Sequence, residues 1–313
     1  MDELVGLFDA DGDCLARDNL LIVFFGQRPF AEMVKGAAYC VQRFLEMVPS
    51  GVLQWSIVGT TSGTHKPLNE KGIARCQSML TTSTAKQKDI HFRLMGPQMY
   101  GPDYRLVLNG YKRPRKEGFL DQTNSIEMRF PREFLLSKGH DAFGDIVKDL
   151  FDAFGGDSGY AAPALCVGQE PRRDDAGAYI GPLAMKHHGY DVPTTLYVAT
   201  DLGQRCRGAR WLTLLSHDLV SQLGGVEPLK GRLADGVSVI TGARGVMLRA
   251  GQTPEIGDIN RKETTPLVAS VARAIEPVTM FGDYALLPIF GRTRERVDRW
   301  ERRFWWQASQ EQV

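Results

Sequence analysis

The chain has 313 residues, 43% of them hydrophobic and 24% charged, an ordinary balance for a soluble globular protein with ample material for a core. A formal net charge of +1 excludes a global field that would draw it to nucleic acid, acidic membranes or a basic partner, leaving only local patches to do so. Met1-Asp2-Glu3-Leu4 lacks the basic and apolar regions of a signal peptide, and the longest strongly apolar run, Leu20 to Phe25, is far too short to span a bilayer. Five widely spaced cysteines (Cys14, Cys40, Cys76, Cys166 and Cys206) read as reduced, buried thiols rather than a disulfide framework or a zinc site. The expected location is the cytoplasm.

Residues 4–25 read as a β-hairpin turned by Asp11-Gly12-Asp13. The clearest helix follows over 29–48, where Phe30, Met33, Val34, Ala37, Val41, Phe44, Leu45 and Val48 recur at helical spacing. Pro29 suits its first turn, and Pro49-Ser50-Gly51 ends it. A strand is predicted from Val52 to Val58, a weaker helix from Asn69 to Leu80, then strands near 90–95, 103–111 and 123–130. In the last of these Ile126, Met128 and Phe130 alternate with polar residues, the pattern of a half-exposed antiparallel strand. A second strong helix takes Asp141 as its N-cap, carries Phe143, Ile146, Val147, Leu150, Phe151 and Phe154 on one face, and stops at Gly155-Gly156.

Gly155 to Pro193 is rich in Gly, Pro and charge and has little periodicity, so it reads as a junction or a long functional loop. Beyond it, strands are expected at 194–200, 210–215, 237–241, 245–250 and 284–290, with helices near 217–223, 226–233, 265–276 and 293–306. Hairpin-like spacing outnumbers strand–helix–strand crossovers. The predicted class is therefore α+β: mainly antiparallel sheet packed with amphipathic helices. It is read as a single domain over 1–313, with room for two similar lobes, 1–157 and 158–313, although no residue-level repeat demonstrates a duplication.

Several motifs invite a chemical reading and fail on spacing. Asp9, Asp11 and Asp13 alternate like a calcium loop, but Cys14 stands where the sharp turn needs Gly and Leu20 where a bidentate Glu is needed. In Gly59-Thr-Thr-Ser-Gly63-Thr-His-Lys66 the second Gly comes a residue early for a phosphate-binding loop, and Pro67 breaks the helix start. Gly156-Asp157-Ser158-Gly159 echoes the nucleophile turn of serine proteases, but no histidine sits in the context of a general base. His187 and His188 are adjacent, so their side chains diverge rather than share a metal. The basic stretch Lys112-Arg113-Pro114-Arg115-Lys116 reads as a solvated loop between strands. The tail from Arg292 to Arg303 mixes arginines with Trp300, Phe304, Trp305 and Trp306, which would suit nucleic acid. However, Val297, Trp300 and Phe304 fall on one helical stripe, favouring a docked helix. No catalytic, cofactor or metal site is expected.

Residues 209–276 are the best punctuated part of the chain. A Trp211-Leu212-Thr213 strand leads to a Leu223-Gly224-Gly225 turn, then to Gly245-Val-Met-Leu-Arg-Ala-Gly251. Gly257-Asp258-Ile259-Asn260-Arg261 and an amphipathic helix after Thr265-Pro266 complete it. This order resembles the TsiV-like family of type VI secretion immunity proteins. The looser match beyond it takes in Arg28-Pro29-Phe30-Ala31, Gln54-Trp55-Ser56 and Ser158-Gly159-Tyr160-Ala161. The resemblance implies a cytoplasmic protein that binds and inhibits a cognate nuclease toxin by covering its active site or nucleic-acid groove. It implies no membrane and no direct nucleic-acid contact, and a homodimer is compatible with it. Nuclease grooves are basic, so exposed carboxylates beside an aromatic anchor are the candidate contacts. In the 155–193 segment these are Glu170, Asp174, Asp175 and Tyr179, and the loop after Gly251 adds Glu255 and Asp258. Two alternatives remain open: an enzyme of unrecognised type with a cleft between lobes, and a nucleic-acid-binding protein using the arginine–aromatic tail.

Overall fold

The strand Cys14–Gly26 is the spine of the molecule and is buried along nearly its whole length. The computed structural model describes residues 6–8, 10–12, 14–59, 64–97, 103–113, 122–167, 173–281, 288–291 and 293–306. β1 (Gly6–Phe8) pairs with this strand, β2, as the expected hairpin; Asp9 and Asp13 lie outside the described residues. Leu20, Ile22 and Phe24 enter one core, and Leu21, Val23 and Phe25 enter another on the opposite face. That is why the run from Leu20 to Phe25 does not alternate: both faces are covered.

α1 (Phe30–Met47) follows, then β3 (Trp55–Val58), β4 (Lys66–Pro67), α2 (Glu70–Met79), α3 (Thr82–Gln87), β5 (Ile90–Met95), β6 (Arg105–Gly110) and β7 (Asn124–Pro131). α4 (Arg132–Lys138) and α5 (His140–Phe154) lead to β8 (Ser158–Val167). α6 (Arg173–Lys186), α7 (Thr195–Val198), β9 (Leu212–Ser216), α8 (His217–Gln222) and α9 (Val226–Lys230) come next. The hairpin β10 (Val237–Thr241) and β11 (Gly245–Ala250), then α10 (Pro266–Ala274), α11 (Arg294–Glu301) and α12 (Arg303–Trp306), complete the chain. The strands form one eleven-stranded sheet in the order β10-β11-β9-β8-β2-β7-β6-β5-β3-β4, with β1 alongside β2. Every ladder in it is antiparallel. The α+β class read from the sequence is the class observed.

α1 and α5 cover one face, and they lie unusually close. A Cβ on Gly36 would sit 1.9 Å from the Ala153 carbonyl oxygen, so only glycine admits that approach. Phe44 and Leu150 are 0% and 1% exposed in this core. Phe44→Ala or Leu150→Ala should each cost about 2–5 kcal/mol in a denaturation titration, the range for a cavity that neighbours cannot fill. α5 ends at Gly155 in the left-handed region, as expected, but its N-cap is Gly139. Asp141 lies inside the first turn, where it accepts from Arg249 Nη1 at 2.6 Å.

Four expectations change. Strand 124–130 is buried on both faces rather than half-exposed; its polar residues Glu127 and Arg129 pair at 2.7 Å against the second face. The supposed loop 155–193 contains β8, buried from Ser158 to Cys166, and the helix α6. Gly159, Ala161, Ala162 and Ala164 are small because β8 lies deep between β2 and the layers above and below, and small residues carry no visible period. Pro163 survives in this strand because its side away from β2 faces Asp191, beyond the end of β9. The strand expected at 194–200 is a loop with one helical turn, α7, packed over β2 and β8 through Val198 and Ala199. Of the strand expected at 284–290, the described part Pro288–Phe290 is a 3-10 turn.

Candidate partner interface

α6 has a weak helical signal because its sequence, with Gly177, Gly181 and Pro182, is poor in helix formers. Tertiary contacts hold it. Ile180 and Ala184, one turn apart, bury against Ala16 and Leu165. Gly181 lets the Ile289 carbonyl approach to where a Cβ would be only 2.1 Å away. The side left over, with Ala178, Pro182, Met185 and Lys186, forms one wall of an open groove of about 1330 Å³.

The second wall is the 3-10 turn Ile259–Arg261. Asp258 caps it, accepting from Asn260 N at 2.9 Å, and ties it to α6 through an ion pair with Lys186 at 3.1 Å. His187 Nδ1 lies 2.6 Å from the Gly257 carbonyl oxygen, and Gly189 N donates to Ile256 O at 2.8 Å. The third wall is made by Ile289, Phe290, Gly291 and Thr293 together with α11, which presents Glu295, Arg296 and Arg299 while Val297 and Trp300 are buried behind. Val297 and Trp300 of the expected stripe are docked here, but the expected single helix 293–306 breaks at Arg302, and Phe304, on α12, is buried in a different core. Arg303 is also buried, its Nε donating to His188 O at 2.8 Å, and Arg294 pairs with Asp298. Burial and the neighbouring Arg303 push the His188 pKa down to about 4, so this imidazole stays neutral at physiological pH.

The groove is apolar at its base and cationic at its rim. Arg296 and Arg299 are exposed and have no carboxylate partner among the described residues. Ile259 is 44% exposed on one lip and Tyr179, elsewhere on α6, is 37% exposed, two of the few large apolar side chains exposed among the described residues.

Of the contact residues expected from sequence, Asp258 and Tyr179 are neighbours of the groove's walls without lining it, Asp258 as the cap of the Ile259–Arg261 turn and Tyr179 on α6. The Tyr179 hydroxyl donates to Gly6 O at 3.5 Å, and Asp258 is buried in its ion pair. Asp174 and Asp175 lie in the first turn of α6, with their side chains outside the described residues; Glu170 lies outside them altogether. Glu255 turns inward. Its Oε2 accepts from Leu267 N at 3.0 Å and Val268 N at 3.3 Å at the start of α10, and burial raises its pKa. Sequence reasoning did not single out Ile259, Met185, Arg296 or Arg299 as contacts; the available signal was an isoleucine stranded between Asp258 and Asn260 in a polar turn.

The protease-like turn is a joint rather than a nucleophile: Asp157 Oδ2 accepts from Gln27 N at 2.8 Å, and Ser158 Oγ donates to Arg205 O at 2.8 Å. All five cysteines are free thiols. Among the described residues no cluster of three His, Cys, Asp or Glu side chains is placed to hold a metal ion, and no helix is long and apolar enough to cross a membrane.

A family model described as "TsiV: Type VI immunity for VRR-NUC" matches residues 37–304. Among solved structures, the Pseudomonas aeruginosa T6SS protein PA0821 superposes with a TM-score of 0.77, covering 96% of this chain and 87% of that one. At 16% identity that likeness concerns the fold. No curated protein sequence matches the chain.

Proposed function

The chain belongs to the TsiV family of type VI immunity proteins, and from that premise we propose that it binds a cognate VRR-NUC effector in the cytoplasm and blocks its nuclease activity without turning anything over. The family match across residues 37–304 carries this reading. The groove between α6, the Ile259–Arg261 turn and α11 is the contact surface. Occlusion requires a pre-organised face of about 800 Å² or more per partner, with aromatic or aliphatic anchors in a desolvated centre. Ile259 and Met185 supply the anchors on walls pinned by Asp258, His187 and Gly181, with Tyr179 exposed next to them on α6.

The charges carried by α11 and by the start of α6 have signs that suit both parts of a nuclease site. Nuclease centres commonly hold divalent metal through carboxylates, and Arg296 and Arg299 have the sign to pair with those acids. The walls that grip phosphates are basic, and Asp174 and Asp175 at the start of α6 have the sign to pair with them. Charges complementary to those of the partner also raise the association rate.

Co-expression should rescue cells from the effector encoded beside this gene, and purified protein should inhibit that nuclease stoichiometrically, with a sharp break at equimolar protein. Full toxicity despite soluble co-expression would sink the reading. Inhibition that grows with time at substoichiometric protein would point to an enzyme instead.

A further inference from the structure

The two ends of the sheet are finished differently. One ends in β4, two residues long, and those residues are lysine and proline. A short strand, a charge and a proline are the devices by which proteins prevent edge-to-edge pairing. The other end, β10, is Val237-Ser238-Val239-Ile240-Thr241, with no charge, no proline and an unbroken five-residue register on β11.

Its outward groups can be read from the hairpin. Gly242 N donates to Gly245 O at 2.8 Å and Gly251 N to Gly236 O at 3.2 Å, which fixes 236, 238, 240 and 242 as the positions bonded to β11. The N–H and C=O groups of Val237, Val239 and Thr241 therefore face away from the sheet. Of these, only the Val237 N–H is taken among the described residues, by Ala234 O at 3.1 Å. Val237, Val239 and Ile240 remain half-buried at the rim of the two cores.

We propose that β10 is a dimerisation edge, pairing antiparallel with β10 of a second copy about a two-fold axis through Val239. This arrangement matches the donors and acceptors present. Each Val239 exchanges both its bonds with its own equivalent. Each Thr241 N–H meets the Val237 carbonyl of the other copy, and the one contact the symmetry leaves unmade involves the Val237 N–H that is already satisfied. Val239 then lies opposite Val239, and Ser238 opposite Ile240. A strand without charge brings no like charges together across the axis, and the net charge of +1 adds almost no repulsion between copies. Isologous pairing of this kind closes on itself and leaves no further edge to propagate a fibre.

The test is sedimentation velocity over a concentration series, with Val239→Pro as the probe. Proline at 239 removes only an outward N–H, so the β10–β11 ladder is left whole. Wild type should sediment at twice the chain mass at high concentration, and Val239→Pro should weaken the dimer by about tenfold or more with an unchanged circular dichroism spectrum. Independently of that variant's folding, Val239→Cys should cross-link as a covalent dimer under mild oxidant, because directly opposed Cα atoms lie about 5.5 Å apart, within disulfide reach. Ser238→Cys, opposite Ile240, should not. A wild type that stays monomeric throughout, a dimer that survives Val239→Pro, or a Val239→Cys that does not cross-link would overturn the proposal. So would a Val239→Pro that keeps its mass but loses effector binding, since the edge would then serve a strand of the effector.

Discussion

Asp191→Ala should lower folding stability by about 3–5 kcal/mol, seen as a lower urea midpoint with an unchanged slope. Asp191 is 0% exposed. Its Oδ1 accepts from Arg210 Nε at 2.8 Å, and Arg210 Nη2 lies 2.6 Å from the same oxygen, outside hydrogen-bonding geometry. Arg207, which pairs with Glu301 at 2.5 Å, and Arg303, stacked 4.1 Å over the Trp300 ring, share this buried site. Removing Asp191 leaves three guanidiniums, Arg207, Arg210 and Arg303, of which Arg207 pairs with the Glu301 carboxylate. An uncompensated buried charge is far costlier than the pair was beneficial.

Asp191→Asn, which keeps the volume, isolates the charge. Burial alone would raise the Asp191 pKa, but Arg210, Arg207 and Arg303 outweigh it and hold the carboxyl below its ordinary value. A lowered folded pKa means that the stabilisation is complete above the unfolded value, about 3.9, and is lost as pH falls through the folded one. The advantage of wild type over Asp191→Asn should thus be constant from neutral to mildly acidic pH and shrink only in strong acid. Equal stability at pH 7 would show that the arginines are neutralised by other means. The same cluster seats α11 through Glu301, so an Asp191 variant that still folds should also hold the groove wall less firmly.

Charge and shape changes in the groove should have the opposite profile, with function lost and stability kept. Ile259→Glu combined with Arg299→Glu places two carboxylates where the proposed contact wants an apolar anchor and a cation. Anchor residues typically contribute about 2 kcal/mol or more, so affinity for the effector should fall by about thirtyfold at least. Protection on co-expression should fail with it. Ile259 is 44% exposed and Arg299 lies on the rim, so the thermal midpoint should hardly move, as for surface substitutions within about 0.5 kcal/mol. Wild-type affinity in this double variant would move the interface away from the groove.

The contrast between these two sets of residues follows how much of each was legible beforehand. The strong helices 30–47 and 140–154 were readable because each buries one stripe against one face of a sheet, and a single wet side leaves a 3.6-residue period in the sequence. The β10 and β11 strands, expected at 237–241 and 245–250, stand at those positions. β8 and α6 were not readable. β8 is covered on both faces, so nothing alternates, and its packing selects glycine and alanine, which carry little hydrophobic signal.

By itself, then, the sequence determined the fold class, the amphipathic helices, the docking of the tail through Val297 and Trp300, and the order of motifs that marks the family. Local periodicity and turn residues act over a few positions and do not depend on what lies opposite. Which side chains meet was decided only in the tertiary structure. Glu255 and Asp258 look like free acids in a polar loop, yet one caps α10 and the other clamps α6. Ile259 and Arg299 are forty residues apart and become the lips of one groove because α6, held by tertiary contacts rather than helix propensity, brings those segments together. A surface made of residues distant in sequence has no pattern within any one window of it, so the chain can encode such a site without displaying it.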